Sequence, residues 1–361
     1  MKSFVQGVHH ITLCPGGAQQ DIDFFTQLLG QRLVKQTVLM DGSIPIYHLY
    51  YGNADADVGS IATSFPYSRK AGRAGSGQLS CTSYTVPAGA IAFWKEHFDR
   101  HEAEHSGVRE RFGTKYLRVR HPAGLLFEMI EESSDNRHPW TTTEISRDVG
   151  TRGFFGAVLS VRDVRDQESF FVDALGFHKV GVDGPYHRFE VQGSGPGRIV
   201  DLHVEPERAP GSWGFGAGTA HHIAFNVETD DALAKQKAVY EELGFTDASE
   251  IKDRFYFHSM YVRSPGGILV ECTANVPGGF YQDEAPEDLG TKLHLPPWYE
   301  DQREAIVSQL EPITVPEENR PRLGTTSVPR PVAAAQSASG DDPKVPLSRY
   351  KATFDAGKQT T

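Results

Sequence analysis

The chain has 361 residues, enough for more than one hydrophobic core, with 36 Lys and Arg against 47 Asp and Glu and a formal net charge of −11. That balance argues against nucleic acid or an anionic membrane surface as a partner, and no apolar run is long enough to span a bilayer. The N-terminus lacks a charged segment followed by an apolar one. The cysteines are Cys14, Cys81 and Cys272, too few and odd in number for a disulfide framework, so a reducing, cytoplasmic location is expected.

In chain order one pattern recurs four times: an apolar strand, an amphipathic helix, a Gly-containing turn and three strand-like runs. The first repeat opens at 8–13, has its helix near 18–29 and closes near 58–64. The second opens at 78–86, with a helix near 88–101 and a closing strand at 124–130. The third opens at 156–161, with a helix near 166–175 and a closing strand at 199–205. The fourth opens at 221–227, with a helix near 230–243 and a closing strand at 267–273. Gly30, Gly176 and Gly244 each follow a helical apolar run, where a left-handed cap is wanted.

A period of roughly 65–75 residues is too long for a solenoid and suits a βαβββ unit, which must pair with another to bury its sheet. The expected fold is α+β, four βαβββ units paired into two curved-sheet cups. The units are placed at 1–66, 75–135, 150–208 and 218–276. A C-terminal extension with a short helix follows at 277–314, and residues 315–361, rich in Pro, Ser, Ala and Gly, are expected to be disordered.

The strings VHHITL at 8–13 and AHHIAF at 220–225 place a His–His pair in the opening strands of the first and fourth units. Alternation puts His9, Ile11 and Leu13 on one face and His10 and Thr12 on the other; likewise His221 falls on the apolar face and His222 on the polar one. In GGILVECTA, Glu271 shares its face with Leu269 and Thr273. A carboxylate buried in mid-strand is costly unless paired. His10, His222 and Glu271 in the hollow of one cup form a 2-His-1-carboxylate set, which suits Fe(II) with open coordination positions. The three share a metal only if the first unit faces the fourth, leaving the second to pair with the third. The closing strand of the first unit, GSIATSF, supplies no carboxylate for a fourth ligand. Glu128 takes the Glu271 position in the second unit, but no His accompanies it; it reads as a vestigial or paired core carboxylate, and Asp201 and His203 as structural.

The strings HHITLCPGGAQQDIDFF, GSIPIYHLYYG, RHPAGLLFE, DLHVEP, GSWGFGAGTAHHIAF, YVRSPGGILVE and LPPW extend across residues 7–298. Together they resemble the vicinal oxygen chelate (glyoxalase/bleomycin resistance/extradiol dioxygenase) superfamily, and within it the hydroquinone ring-cleaving dioxygenases. The resemblance implies iron held at His10, His222 and Glu271, with His9, His221, Arg254 and Tyr261 around the bound ring. Arg254 would hold an anionic oxygen, Tyr261 would orient the ring, and His9 or His221 would move protons. Strand parity conflicts with the last role, since it sends His9 and His221 to the helix side.

The function expected from this resemblance is an Fe(II)-dependent, extradiol-type ring-cleaving dioxygenase, with Mn(II) as the alternative metal. Its partners would be O2 and a small aromatic, a hydroquinone on the resemblance alone; self-association into a homo-oligomer stays open. Two alternatives remain: a glyoxalase-type metal-dependent lyase or isomerase, which would need a fourth protein ligand, and a non-catalytic aromatic- or quinone-binding protein.

Overall fold

The computed structural model describes residues 2–39 and 44–319. Each of the four repeats is a βαβββ unit. The first comprises β1 (Gly7–Cys14), α1 (Ala18–Asp23), β2 (Arg32–Val38), β3 (Tyr47–Gly52) and β4 (Ile61–Ser64). The second comprises β5 (Gln78–Val86), α2 (Ile91–Arg100), β6 (His105–Arg111), β7 (Thr114–Arg120) and β8 (Leu126–Glu131). The third comprises β9 (Gly153–Val161), α3 (Arg165–Ser169), β10 (His178–Asp183), β11 (Tyr186–Glu190) and β12 (Ile199–Val204). The fourth comprises β13 (Thr219–Asn226), α4 (Asp230–Glu242), β14 (Lys252–Asp253), β15 (Phe257–Arg263) and β16 (Leu269–Asn275). Among the described residues no helix is long and apolar enough to cross a membrane.

The strands form two eight-stranded sheets, ordered β14-β15-β16-β13-β1-β4-β3-β2 and β10-β11-β12-β9-β5-β8-β7-β6. The first unit therefore shares a sheet with the fourth, through antiparallel β1 and β13, and the second with the third, through β5 and β9. Each sheet buries its apolar face against helices in one continuous core, where Phe25 stacks on Tyr51 at 4.2 Å and Phe170 on Tyr240 at 5.9 Å.

The helices expected over 18–29 and 166–175 are α-helical only in their first turns. They widen into π-helical turns at Phe24–Leu28 and Phe170–Ala174, where the FF pairs enter the core. Both end on a glycine at positive φ, Gly30 (+62°) and Gly176 (+73°), and a Cβ on Gly30 would meet Ile145 Cδ1 at 2.5 Å.

The C-terminal extension clamps β2. Lys35, fully buried, pairs with Asp283 at 2.7 Å and with Glu284, while Tyr256 donates to Asp283. Residues of α5 (Arg303–Val307) and the preceding turn cover Val38 through Tyr299 and Ile306. The disorder expected from residue 315 does not begin there. Val315 packs on the core, and buried Asn319 accepts from Leu33 N and donates to the Leu33 and Leu289 carbonyls, so unpaired edge groups of β2 anchor the segment. The remainder of that expected tail lies outside the described residues.

Candidate functional site

The β1–β13 seam builds the site. Val8 pairs with Phe225 and His10 with Ala224, so His9 is an extra residue; Thr12 pairs with His222 and Leu13 with Ala220, so His221 is another. Each is a β-bulge, which breaks alternation and turns two successive side chains towards the same region. This corrects the parity expectation that sent His9 and His221 to the helix side. Instead, His9 Nδ1 lies 2.9 Å from His10 Nδ1, and His221 Nδ1 lies 2.8 Å from His222 Nδ1.

Three residues beyond each bulge, the opening strand faces the closing strand of its own unit. Ala224 pairs with Glu271 and Thr12 with Thr63. Thr63 thus holds in the first unit the position that Glu271 holds in the fourth, and its hydroxyl bonds Thr12 Oγ1 at 2.8 Å.

At the centre, His10 Nε2, His222 Nε2 and Glu271 Oε2 converge. The nitrogens are 3.2 Å apart, and Oε2 lies 3.5 Å from His10 Nε2 and 2.8 Å from His222 Nε2. Glu271 Oε1 accepts from Ser259 Oγ and Thr273 Oγ1, both at 2.5 Å. Oε2 is buried and accepts no hydrogen bond of good geometry, despite the short approach of His222. A buried carboxylate oxygen left without a donor is costly. Two imidazole nitrogens aimed at the same point complete the donor set of a divalent transition metal, so these residues fit such an ion. Burial pushes the Glu271 carboxyl pKa up, but His10 and His222 outweigh it and hold it well below the usual range.

The tautomers follow from this arrangement. With both Nε2 lone pairs facing the shared point, His10 and His222 carry their protons on Nδ1 and donate to His9 and His221. His9 then donates from Nε2 to Asn275 Oδ1 at 2.8 Å. His221 stacks on Phe215 at 4.4 Å and lines a cavity of about 520 Å³ above the triad. Tyr261 and Arg254 line the same cavity, with Arg254 Nε 3.3 Å from the Tyr261 hydroxyl and the Tyr261 ring edge-on to His222 at 5.6 Å. All seven candidate residues therefore meet in one place. Alternation could not single out His48, Tyr50, Phe65 and Trp213 as cavity lining. The strings HLYYG and GSWGFG contain three of them, but only the fold brings β3 and the 211–216 loop to the triad.

The second sheet repeats the construction without the donors. It has bulges at Ser80 and Phe155, and three residues on Ser83 faces Glu128 and Val158 faces Asp201. Cys81 and Gly156 stand where His10 and His222 stand in the first cup. Arg111, stacked between Tyr116 and Tyr186, bridges Glu128 and Asp201, and Arg118 and Arg188 complete the pairing. Guanidinium groups here satisfy the two carboxylates. Burial alone would raise the Glu128 pKa, but Arg111 and Arg118 bring it to about 2.

A sequence profile of the Glyoxalase/Bleomycin resistance protein/Dioxygenase superfamily matches residues 153–272. The chain is 39% identical over 316 residues to a chlorohydroquinone/hydroquinone 1,2-dioxygenase of Sphingobium indicum, covering 86% of this chain and 98% of that protein. This chain belongs to the superfamily's ring-cleaving dioxygenases. A solved Bacillus subtilis family member, only provisionally named a dioxygenase, superposes with a TM-score of 0.82 at 36% identity, covering 88% of this chain and all of that one. Glyoxalase I of Zea mays shares the fold, with a TM-score of 0.53 at 16% identity over 74% of this chain and 92% of that one.

The site predicts acid sensitivity. Burial lowers the His9 pKa to about 3, assisted by His10, and that of His121 to about 4; His48, His221 and His222 are lowered too. The unfolded chain takes up protons at these imidazoles below about pH 6.5, while the folded chain refuses them until its own lower pKa, so stability falls as pH drops. The slope is about 1.4 kcal/mol per pH unit for each group. Asp21, raised by burial to about 7, acts in the opposite sense between about pH 4 and 7, but it is one group against five. The urea midpoint of metal-free protein should fall between pH 7.5 and pH 5; an equal or higher midpoint at pH 5 contradicts this.

Proposed function

We propose that the chain is an Fe(II)-dependent, extradiol-type dioxygenase that opens the ring of a hydroquinone or related dihydroxylated aromatic. The carrying observation is Glu271 Oε2, buried without a hydrogen bond beside the Nε2 atoms of His10 and His222 beneath a cavity of about 520 Å³. The relative in Sphingobium indicum, named for hydroquinone cleavage, supports the substrate class. Fe(II) held by His10, His222 and Glu271 would supply Lewis acidity and adjacent open positions for a phenolic oxygen and O2.

The chain's own residues do the rest. Phe65, Phe215 and Phe257 give the cavity aromatic walls that hold a ring and keep water out. Arg254, a permanent cation, and the Tyr261 hydroxyl orient a phenolic oxygen. His9 has both nitrogens engaged, so it positions His10 rather than transferring protons. His221 carries its proton on Nε2 at the cavity wall and donates a hydrogen bond to the ring substituents; burial and His222 keep it neutral. A glyoxalase-type site would need a fourth protein ligand, a second carboxylate, and the symmetry-related position holds Thr63. The three cysteines are buried and free, which supports action in a reducing, cytoplasmic setting.

The test is O2 consumption by protein loaded anaerobically with Fe(II) or with Mn(II), hydroquinone and catechol being offered separately. Uptake of one O2 per hydroquinone with Fe(II) is expected. No uptake with either metal on either substrate sinks the reading, and faster turnover with Mn(II) replaces the metal. Tyr261→Phe keeps the ring and removes the hydroxyl, so metal content should hold while kcat falls by about 10²-fold. Arg254→Ala should chiefly raise KM. Unchanged kinetics in both, on metal-matched samples, would confine the chemistry to the triad.

A further inference from the structure

A second donor set lies outside the cups, on the outer face of the second unit. His97 on α2 and His101 at its C-cap are one turn apart (i, i+4), and Glu144 reaches them from the 141–150 segment. His97 Nδ1 lies 3.6 Å from Glu144 Oε2, His101 Nε2 lies 2.8 Å from the same oxygen, and the imidazole centroids are 4.5 Å apart. In a tetrahedral site with bonds of about 2.0–2.2 Å, ligand atoms stand roughly 3.4 Å apart, so small side-chain movements admit an ion.

We propose that His97, His101 and Glu144 form a second metal site, for a borderline divalent ion of the Zn(II) type. The support around the ligands carries the inference. His97 is fully buried, and its Nε2 donates to the Leu28 carbonyl at 3.0 Å, which fixes the tautomer and leaves Nδ1 without a proton, 3.6 Å from Glu144 Oε2. A backbone carbonyl holding the far N–H is the usual outer support of a metal-ligating imidazole. Burial lowers the His97 pKa, so the ring is neutral at pH 7 and able to ligate.

The backbone that carries Glu144 is held in place as well. The Thr142 hydroxyl accepts from Glu144 N and Ile145 N, and Ile145 is fully buried against Gly30. The Trp94 indole donates to the Val149 carbonyl and ties the same segment to α2. Two imidazoles and one carboxylate suit Zn(II), with water in the remaining position. Arg100 Nη2 approaches His97 Nδ1 at 3.4 Å, but this side chain is exposed and free to swing into solvent. A bound ion would join α2, the 141–150 segment and, through Leu28, the first unit.

The test is calorimetric titration of metal-free protein with Zn(II) alone. Wild type should bind two equivalents, Glu271→Ala one, His101→Ala one, and Glu271→Ala with His101→Ala none tightly. Glu144→Gln should weaken the outer equivalent by about tenfold or more. His101 and Glu144 are partly exposed, so both variants should keep the wild-type far-UV spectrum. Zn(II) should raise the Tm of Glu271→Ala but not that of the double variant. Retention of wild-type stoichiometry and affinity in both His101→Ala and Glu144→Gln overturns the site. Loss confined to Glu271→Ala overturns it as well while sparing the catalytic reading; loss confined to the outer variants does the reverse.

Discussion

Glu271→Ala should yield a folded protein that retains no metal at the triad and shows no ring cleavage. The carboxylate is fully buried and supplies the only negative charge among the three converging donors. Removing it leaves two imidazole ligands, too few to hold a divalent ion against dilution, and an affinity loss beyond about 10²-fold is expected because outer supports alone are worth 10–100-fold. The fold should survive. The two hydroxyls that hold Glu271, on Ser259 and Thr273, lie 3.3 Å apart and can pair with each other, which limits the cost to about 1–3 kcal/mol. His10→Ala and His222→Ala should behave alike, since each removes one of the converging nitrogens. Metal analysis after gel filtration, together with thermal melts, checks this; wild-type metal content and turnover in any of the three removes that residue from the site.

Glu128→Ala, the same change at the matching position of the other sheet, should have the opposite profile. Glu128 accepts bidentate bonds from Arg111 at 2.9 and 3.0 Å, two from Arg118 at 2.6 and 3.2 Å and one from Ser83 at 2.7 Å, with no exposure to solvent. Its loss leaves buried Arg111 with Asp201 as its remaining acid, an acid that Arg188 also binds, and Arg118 loses its carboxylate. Stranding a buried charge in this way costs about 3–5 kcal/mol. Urea unfolding should show that loss while metal content at His10, His222 and Glu271 is unchanged. Replacing Glu128 and Arg111 together by leucine should cost less than the single change, because the stranded arginine is then only Arg118, which reaches solvent, and no longer buried Arg111. A loss under about 1 kcal/mol for Glu128→Ala would mean that the guanidinium groups find other partners, against the pairing described.

The repeat was legible because each unit carries its own local signals: an apolar opening strand, a 3.6-residue helical period and a glycine after the helix. The donors His10, His222 and Glu271 were legible for the same reason. The β1 residues beyond His9, the β13 residues beyond His221 and all of β16 are regular, and in a regular strand parity fixes the face. The pairing of the first unit with the fourth followed from requiring one site to hold all three. Parity failed at His9 and His221, because a bulge belongs to a pair of strands and its position is set by how β1 and β13 fit together. The same limit applies to Arg111, whose acids come from β8 and β12, and to Glu144, which meets His97 and His101 across a gap of more than forty residues. It applies also to Asn319, held by β2, 286 positions earlier in the chain. Periodicity and turn chemistry act over a few residues and can be read along the chain. Which side chain satisfies a buried charge, or an unpaired strand edge, depends on the free energy of neighbours that only the folded sheets bring together.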